Sequence, residues 1–324
     1  MKIVPTYQFS VLQEEEFQEK ISAISEQLDA CRQEGTFAGR DGKQLYYEYF
    51  QAEECRGAVV VVHGLSEFTA KYHEFAWYLL NQGYDVFLYD QRCHGRSCRL
   101  TSRQDMIHVD KFSHYVDDLD LFIRNVVTKA TNAPLYLYSH SMGGAVAALY
   151  LARFPGVFQK ALMSAPMVLP LTGDVSPAVA RLGLSVCTFF GDPKKKFWGA
   201  REFDPDYPFE RSQDRSLARF RHNMDIRLAD ARFRTTPLTM GWVYQSLLLH
   251  RKLIAKSFTK KLTTPILMLS AEDDRVVSND AQREFAESCS VCRRVIIPGS
   301  THSMLWGTTE TITTHVRQVL DHFV

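Results

Sequence analysis

The sequence LYLYSHSMGG at residues 135–144 sets the fold and contains the side chain of greatest chemical interest, Ser141. Its apolar start predicts a strand, and the apolar residues 145–151 predict a helix that leaves directly after it. A serine at the apex of such a strand–turn–helix forms a nucleophile elbow, in which a strained backbone exposes the hydroxyl. Because the strand and the helix approach closely, the neighbouring residues must be small, and Ser139 meets this need where the usual pattern has glycine. A serine before a helix can also act only as an N-cap, so the motif alone leaves that interpretation open.

Length and composition are those of a globular protein with a substantial core. The chain has 324 residues, of which 45% are hydrophobic and 23% are charged. This length suits one large domain with an insertion, or two domains. The formal net charge of +1 provides no excess of basic residues to displace counterions from a polyanion, so we predict no nucleic-acid partner.

The seven cysteines favour a reduced, intracellular protein, because their number is odd and their positions are scattered. Cys289 and Cys292 have the CxxC spacing, but no second Cys or His pair at zinc spacing accompanies them. We interpret these two cysteines as incidental. The sequence predicts neither a metal nor an organic cofactor.

The N-terminal residues MKIVPTYQ lack the uninterrupted apolar segment that is typical of a signal peptide. No run in the sequence approaches the roughly 18 apolar residues that a membrane-spanning helix needs. We therefore expect a cytoplasmic protein whose contact with a membrane, at its inner face, would be peripheral. The oligomeric state is left open.

Strand-like and helix-like segments alternate through most of the chain, which predicts an α/β protein with a mostly parallel sheet covered on both faces. The predicted strands are Lys43–Phe50, Ala58–Val62, Asp85–Tyr89, Leu135–Tyr138, Lys160–Met163, Pro265–Leu269 and Val295–Ile297. The predicted helices between and after them are Lys71–Asn81, Phe112–Val127, Met142–Arg153, Asp280–Glu287 and Thr309–Phe323.

The points at which this alternation starts, stops and resumes divide the chain into four segments. Residues 1–35 are predicted to form a polar, helix-rich lead-in, and Gly35–Gly42 is predicted to be rich in turns. The core comprises residues 36–170 and 261–324. Residues 171–260, called the cap below, lack a clear strand and are longer than an ordinary loop. The helices predicted in the cap lie near Ala178–Phe190, Ser212–Leu228 and Pro237–Ile254.

A serine hydroxyl needs a base to accept its proton, and a histidine base needs a carboxylate to orient it. In doubly wound sheets, functional residues lie beyond the carboxyl ends of the strands. Asp274 follows the strand predicted over 265–269, and His302 follows the strand predicted over 295–297. The chain order Ser141, Asp274, His302 is the order expected of an elbow-type hydrolase.

The acid is the ambiguous member, because Glu272, Asp273 and Asp274 are consecutive in the sequence. We choose Asp274 because it directly precedes Arg275, where the chain turns back toward the domain. Asp273 is the runner-up, and the two carboxylates that are not chosen would be solvated loop charges.

An oxyanion hole requires two backbone N–H groups directed at the developing negative charge. One should belong to Met142, directly after the nucleophile, and the second to Leu65 in the loop after the strand Ala58–Val62. Gly64 allows that loop to turn tightly. His63, at the very end of the strand, is interpreted as a structural hydrogen-bonding residue.

With these motifs in place, the chain resembles an α/β-hydrolase and, more narrowly, the bacterial lysophospholipase and monoacylglycerol lipase group. The resemblance spans about residues 36–324. It is carried by VVHGLSE at 61–67, DQRCHGRS at 90–97, YVDDL at 115–119, SHSMGG at 139–144, EDDRVV at 272–277 and GSTH at 299–302. Within the cap, the sequences similar to lysophospholipases are RHNM at 221–224 and WVYQS at 242–246.

This resemblance implies hydrolysis of the fatty-acyl ester of a single-chain lipid, with a lysophospholipid as the first choice. An apolar cap suits an acyl chain, since each buried methylene contributes about 0.8 kcal/mol. The candidate substrate-binding residues are Phe189, Phe190, Trp198 and Trp242, although apolar residues at helical spacing are also typical of a cap's own core. The basic residues 194–196 lie beside Phe189–Phe190 and Phe197–Trp198, and this mixture predicts a peripheral membrane contact through the cap.

Other activities stay open at this point. They are a monoacylglycerol lipase, a general carboxylesterase or thioesterase, a transacylase that passes the acyl group to an alcohol, and a ligand-binding protein on an inactive hydrolase fold. A complete set of triad residues argues against the last of these. Dehalogenase and epoxide-hydrolase chemistry is disfavoured because the elbow carries serine and not aspartate.

Overall fold

An eight-stranded sheet forms the centre of the computed structural model, which describes residues 1–324. In chain order the strands are β1 Gln33–Ala38, β2 Gln44–Phe50, β3 Gly57–Val62, β4 Tyr84–Tyr89, β5 Leu135–His140, β6 Lys160–Ser164, β7 Ile266–Asp273 and β8 Cys292–Thr301. Their order across the sheet is β1-β2-β4-β3-β5-β6-β7-β8. β2 is antiparallel to β1 and to β4, and all other neighbours are parallel. The predicted α/β architecture with a mostly parallel sheet is confirmed.

The chain also forms eleven α-helices. They are α1 Phe17–Cys31, α2 His73–Asn81, α3 Ser113–Phe122, α4 Thr128–Ala130, α5 Met142–Arg153, α6 Pro177–Phe190, α7 Leu217–Ala229, α8 Met240–Leu253, α9 Lys256–Thr259, α10 Asn279–Ser288 and α11 Thr309–Phe323. A π-helical segment, Ile123–Val127, joins α3 to α4. None of these helices combines the length and the apolar character needed to span a bilayer.

Strand β3 shows why the sheet is buried on both faces. Successive side chains of a strand point to opposite sides, so Val59 and Val61 enter one core while Val60 and Val62 enter the other. Helices α1, α2 and α11 cover the first face, and α3, α5 and α10 cover the second. β3 lies between β4 and β5, and β5 lies between β3 and β6. The carboxyl ends of these two central strands are therefore fixed by a neighbouring strand on each side.

The prediction that Gly35–Gly42 is rich in turns is wrong over its first half. Residues 33–38 form the edge strand β1, which pairs with β2, and only the short segment Arg40–Gly42 is a turn. Of the six β1 side chains, Phe37 alone is buried. An edge strand with so little burial has no apolar alternation, so the sequence carries no signal for it.

Between β6 and β7 the chain contains α6 to α9 and no strand of the sheet. We interpret this region as the cap, and the boundaries of the four segments remain an interpretation. Arg219 of α7 holds the cap on the core, because its guanidinium donates to the carboxylate of Glu74 at 2.6 Å and to the carbonyl of Leu12 at 2.8 Å. The lead-in therefore helps to position the cap.

Candidate active site

Ser141 occupies the turn between β5 and α5, with φ 51° and ψ −117°. Positive φ is unfavourable for a residue with a side chain, so this conformation must be held by its surroundings. The N–H of Ser141 donates to the carbonyl of Ser164 at 3.0 Å, and its own carbonyl accepts from Gly144 and from Met167 at 2.8 Å each. The strained turn is thus fixed by hydrogen bonds to the neighbouring strand and to the loop that follows that strand.

The close approach of strand and helix at the elbow requires glycine at two positions. A Cβ on Gly143 would collide with the carbonyl oxygen of Val62, and a Cβ on Gly144 would collide with Pro166. Ser139 is fully buried and donates its hydroxyl to the carbonyl of Leu162 at 3.2 Å. A serine is therefore accommodated where the usual pattern has glycine.

The structure brings Ser141, His302 and Asp274 together. The Ser141 Oγ lies 2.9 Å from Nε2 of His302, and Nδ1 of the same ring lies 2.8 Å from Oδ2 of Asp274. Ser141 and His302 are 6% exposed each, and the Asp274 side chain is not exposed. Three strand ends distant in sequence therefore produce the geometry of a serine–histidine–aspartate relay.

The geometry also separates the three consecutive acids. Besides His302, Asp274 accepts hydrogen bonds on Oδ1 from the backbone N–H groups of Val276 and Val277, both at 2.9 Å. Asp273 is exposed and pairs with Arg275. Glu272 accepts a hydrogen bond from the N–H of Gly299 and does not face His302. Only Asp274 faces the imidazole.

The pKa shifts of the pair favour the protonation states that a general base needs. Burial lowers the pKa of His302 below its usual 6.5, and the hydrogen bond and charge of Asp274 offset only part of this effect. Burial alone would raise the pKa of Asp274, but His302 and the two backbone N–H groups outweigh it, so its pKa lies below the usual value. At neutral pH the imidazole is neutral and the carboxylate is ionised, so Nε2 can accept a proton.

Leu65 and Met142, the predicted oxyanion donors, flank the serine. Met142 is the first residue of α5, where a helix leaves its N–H groups without an intrahelical acceptor. Leu65 lies in the loop after β3 and lines the same cavity as Ser141, and no protein atom accepts a hydrogen bond from its N–H. Their role in holding an oxyanion is a proposal that this placement supports.

A buried carboxylate, Glu67, organises the loop that carries Leu65. Its oxygens accept hydrogen bonds from the N–H of Gly64 at 2.6 Å, the hydroxyl of Tyr72 at 2.6 Å and the ammonium of Lys71 at 2.9 Å. Burial favours the neutral acid, but the charges of Lys71 and of a neighbouring histidine hold the pKa of Glu67 well below its usual value. Glu67 is therefore a fixed anion below the oxyanion loop.

That neighbouring histidine, His140, connects the loop to the relay. Its Nδ1 lies 3.0 Å from Oε2 of Glu67, and its Nε2 lies 3.2 Å from the backbone oxygen of His302. Sequence reasoning missed Glu67 and His140 as functional residues. The available signal was only their position inside the motifs VVHGLSE and SHSMGG, because the contacts between them require the folded sheet.

A cavity of about 590 Å³ opens at Ser141 and is lined mainly by apolar side chains, several of them from the cap. Trp198 and Trp242 line it, as the sequence predicts for substrate-binding residues. Phe189 and Phe190 do not, since they are 81% and 82% exposed at the end of α6. Placing these two phenylalanines in the substrate cavity was therefore a wrong prediction, because helix α6 turns its last residues outward.

Side chains of two further motifs form hydrogen bonds with the backbone around the site. His63 bridges the carbonyl of Gly64 and the N–H of Gln91, which agrees with its predicted structural role. Asp90 accepts the N–H groups of Thr69 and Arg96, each at 2.7 Å. The structure contains no group of three or more His, Cys, Asp or Glu side chains placed to hold a metal ion.

Comparison with known families and sequences gives matches over most of the chain. The family model described as serine aminopeptidase, S33, matches residues 53–309. Lysophospholipase L2 of Escherichia coli strain K12 is 29% identical over 309 residues, which cover 90% of this chain and 87% of that protein.

Solved structures show the same fold at lower sequence identity. A soluble variant of monoglyceride lipase from Saccharomyces cerevisiae aligns with a TM-score of 0.70 and 20% identity, covering 89% of this chain and 93% of that one. A thermostable carboxyl esterase from Bacillus coagulans aligns with a TM-score of 0.72 and 16% identity, covering 90% and 97%. At these identities the likeness supports the fold alone.

Proposed function

This chain belongs to the hydrolase family described as serine aminopeptidase, S33, and we propose that it cleaves the fatty-acyl ester of a lysophospholipid with Ser141 as nucleophile. It is an ester hydrolase with the α/β-hydrolase fold, of the lysophospholipase and monoacylglycerol lipase group. One observation carries the proposal: the relay of Ser141, His302 and Asp274 opens into an apolar cavity below the cap.

Acylation is the first half of the proposed reaction. His302 accepts the hydroxyl proton on Nε2 while Ser141 Oγ attacks the ester carbonyl. Asp274 keeps the ring oriented and stabilises the imidazolium that forms. The N–H groups of Leu65 and Met142 stabilise the oxyanion, and His302 then gives its proton to the departing glycerophospho-alcohol.

Deacylation uses the same groups in reverse order. His302 removes a proton from water as the water attacks the acyl carbon, and it returns that proton to Ser141 Oγ as the fatty acid leaves. Every proton moves through Nε2 of this one ring. Its lowered pKa therefore supports the base role in both halves of the reaction.

The size and lining of the cavity support a long acyl chain over a small ester. Helix α6 turns Ala180 and Leu184 toward the cavity, and Trp242 of α8 closes it on the side of the core. Each methylene buried there contributes about 0.8 kcal/mol, so affinity should rise with chain length. The likeness to a lysophospholipase over most of the chain supports a lysophospholipid as the first choice of substrate.

We also propose that the outer face of α6 contacts a lipid surface. Val179, Leu182 and Val186 lie on this face with Phe189 and Phe190, and all five side chains are at least half exposed. Their helical spacing makes one apolar stripe on the outside of the cap. Such a stripe suits peripheral contact with the interface from which a single-chain lipid is extracted.

The decisive assay compares fatty-acid release from lysophosphatidylethanolamine, lysophosphatidylcholine, monoolein and nitrophenyl esters under the same conditions. We expect the highest kcat/KM with a lysophospholipid, and the Ser141→Ala variant serves as the blank. A clear preference for monoolein would assign the protein as a monoacylglycerol lipase. A preference for short nitrophenyl esters would assign it as a general carboxylesterase.

A transacylase would form the same acyl-enzyme but pass the acyl group to an alcohol. Adding labelled glycerol or labelled lysolipid to the assay distinguishes the two reactions. If the label appears in a new ester and less free fatty acid is released, the protein transfers the acyl group and does not hydrolyse the ester.

A further inference from the structure

A second cavity, of about 690 Å³, adjoins the catalytic cavity and shares Lys71, Gln213 and Arg227 with it. Unlike the first, it is lined mostly by polar or charged residues. We propose that this second cavity holds the phosphodiester head group of the substrate, with Arg227 as its main cation. The inference rests on the proposed function, because it names the head group that accompanies the acyl chain.

Arg227 is a cation without an ion-pair partner, although the charges of Glu67 and Asp214 act on it from a longer distance. No carboxylate lies within ion-pair distance of its guanidinium, and its hydrogen bond to a protein atom is a single N–H donated to the carbonyl of Ser66 at 2.5 Å. The guanidinium carbon lies 5.8 Å from the ring centroid of Phe68 and 6.0 Å from that of Phe203. Burial lowers its pKa, so an anion bound there would restore the stability of the charged form.

Two amide side chains of the same cavity have unused hydrogen-bonding atoms. Nδ2 of Asn223 and Oε1 of Gln213 are buried and have no partner, and Asn223 is only 7% exposed. Asn223 and Arg227 are four residues apart on α7 and so share one face of the helix. A donor amide beside an unpaired guanidinium is an arrangement that binds a phosphate oxygen.

The other charges of the cavity leave this cation available. Lys71 already pairs with Glu67, and Glu202 pairs with Arg103 and with a lysine of the cap. Burial raises the pKa of Asp214, although the charges of Lys71 and Arg227 oppose this effect. Arg201, Asp204 and Arg211 complete the charged lining, which comprises four cations and three carboxylates in all. The formal charges of the lining therefore favour an anion over a cation.

The position of the cavity matches the substrate's own geometry. In a lysophospholipid only the glycerol backbone separates the ester carbonyl from the phosphodiester. Lys71 and Arg227 lie at the border of the two cavities, so an ester at Ser141 would place the phosphate beside them. A monoacylglycerol has no group for this site.

The first test compares Arg227→Met with Arg221→Met, a matched change on the exposed side of the same helix. The readout is the ratio of kcat/KM for oleoyl lysophosphatidylethanolamine to kcat/KM for monoolein. We expect Arg227→Met to lower this ratio at least about tenfold and Arg221→Met to leave it within about twofold. Equal losses with both substrates, or an unchanged ratio, would overturn the proposal, because Arg227 would then only support the loop at Ser66.

The second test avoids lipid substrates, so it does not depend on which ester the enzyme prefers. Glycerophosphoethanolamine, glycerol and inorganic phosphate are compared as inhibitors of nitrophenyl ester hydrolysis. We expect competitive inhibition by the phosphodiester alone, weakened at least about tenfold by Arg227→Met. Equal inhibition by inorganic phosphate, or none by the phosphodiester, overturns the head-group site. Poor lysophospholipid turnover with intact phosphodiester inhibition would instead contradict the proposed function.

Discussion

The carboxyl edge of the sheet and the cap meet at one cavity but are built in opposite ways. At the sheet edge, two buried carboxylates find their partners within the protein: Asp274 accepts three hydrogen bonds and Glu67 accepts four. In the cap, Arg227 has no ion-pair partner, Nδ2 of Asn223 has no hydrogen-bond partner and Phe189 is exposed. The chemistry is preorganised, whereas the groups that would recognise lipid lack partners until a ligand arrives.

This difference predicts how mutations in each region will act. Changes at the sheet edge should reduce turnover on every ester, because the reacting atoms are common to all substrates. Changes in the cap should alter the choice of substrate or the use of a lipid surface.

Among the residues that support the nucleophile, the largest effect is expected from Asp274→Asn, with Asp273→Asn as the matched control. Loss of the carboxylate that faces His302 should lower kcat by on the order of 10⁴, since the imidazole loses its orientation and its counter-charge. Asp273 is half exposed and pairs only with Arg275, so its amide variant should stay within about twofold of wild type. The reverse outcome would assign the acid to Asp273 instead.

A smaller effect is expected from Glu67→Gln. The amide keeps the size of the side chain but removes the anion that holds Gly64, Tyr72 and His140, so the oxyanion loop should shift. We expect kcat to fall about 10- to 100-fold with KM changed little, as for a small displacement of catalytic groups. Tyr72→Phe removes one hydrogen-bond donor to Glu67 and keeps the charge of Glu67, so its kcat should fall less. A kcat equal to that of the wild type in Glu67→Gln would show that Glu67 does not position the catalytic groups.

The pH profile tests the electrostatics of His302. The ring must be neutral to act as a base, and burial lowers its pKa below 6.5 despite the opposing charges of Asp274 and Glu67, with His140 adding to the decrease. On soluble nitrophenyl esters, kcat/KM should therefore stay level as pH falls from about 8 to about 6.5 and then drop about tenfold per pH unit below the shifted pKa. An acid limb centred above pH 6.5 contradicts this assignment.

The smallest effect on chemistry is expected from the outer face of α6. Replacing Phe189 and Phe190 by serine should weaken liposome flotation severalfold, yet keep turnover of a soluble nitrophenyl ester within about twofold. Leu228→Ser, an exposed leucine on α7, is the control for a general loss of apolar surface. Flotation that is insensitive to the phenylalanine changes would remove the proposed membrane contact.

The same contrast explains what the sequence could predict. Ser141, Asp274 and His302 each follow a strand of clear apolar pattern, so a rule about strand ends was enough to find them. The acid Glu67 does not directly follow a strand, so this rule does not find it, and its contact with His140 joins two segments that are 73 residues apart in the sequence. The sequence shows that Phe189 is apolar, but the side of α6 on which it lies depends on how the cap packs.

Strand β1 was missed for a related reason. Its pairing with β2 uses backbone groups, and five of its six side chains remain at least partly exposed. Hydrophobic patterns in a sequence reveal strands whose side chains are buried. They therefore reveal β3, where all six residues are buried, and not an edge strand such as β1.

The central claim is that Ser141 is the nucleophile of an acyl-enzyme, and active-site labelling tests it most directly. A fluorophosphonate should form one adduct, located on the peptide that contains Ser141 by mass spectrometry. The Ser141→Ala variant should stay folded, take no label and lose on the order of 10⁴- to 10⁶-fold in turnover. An adduct on another residue, or wild-type turnover in Ser141→Ala, would contradict the account.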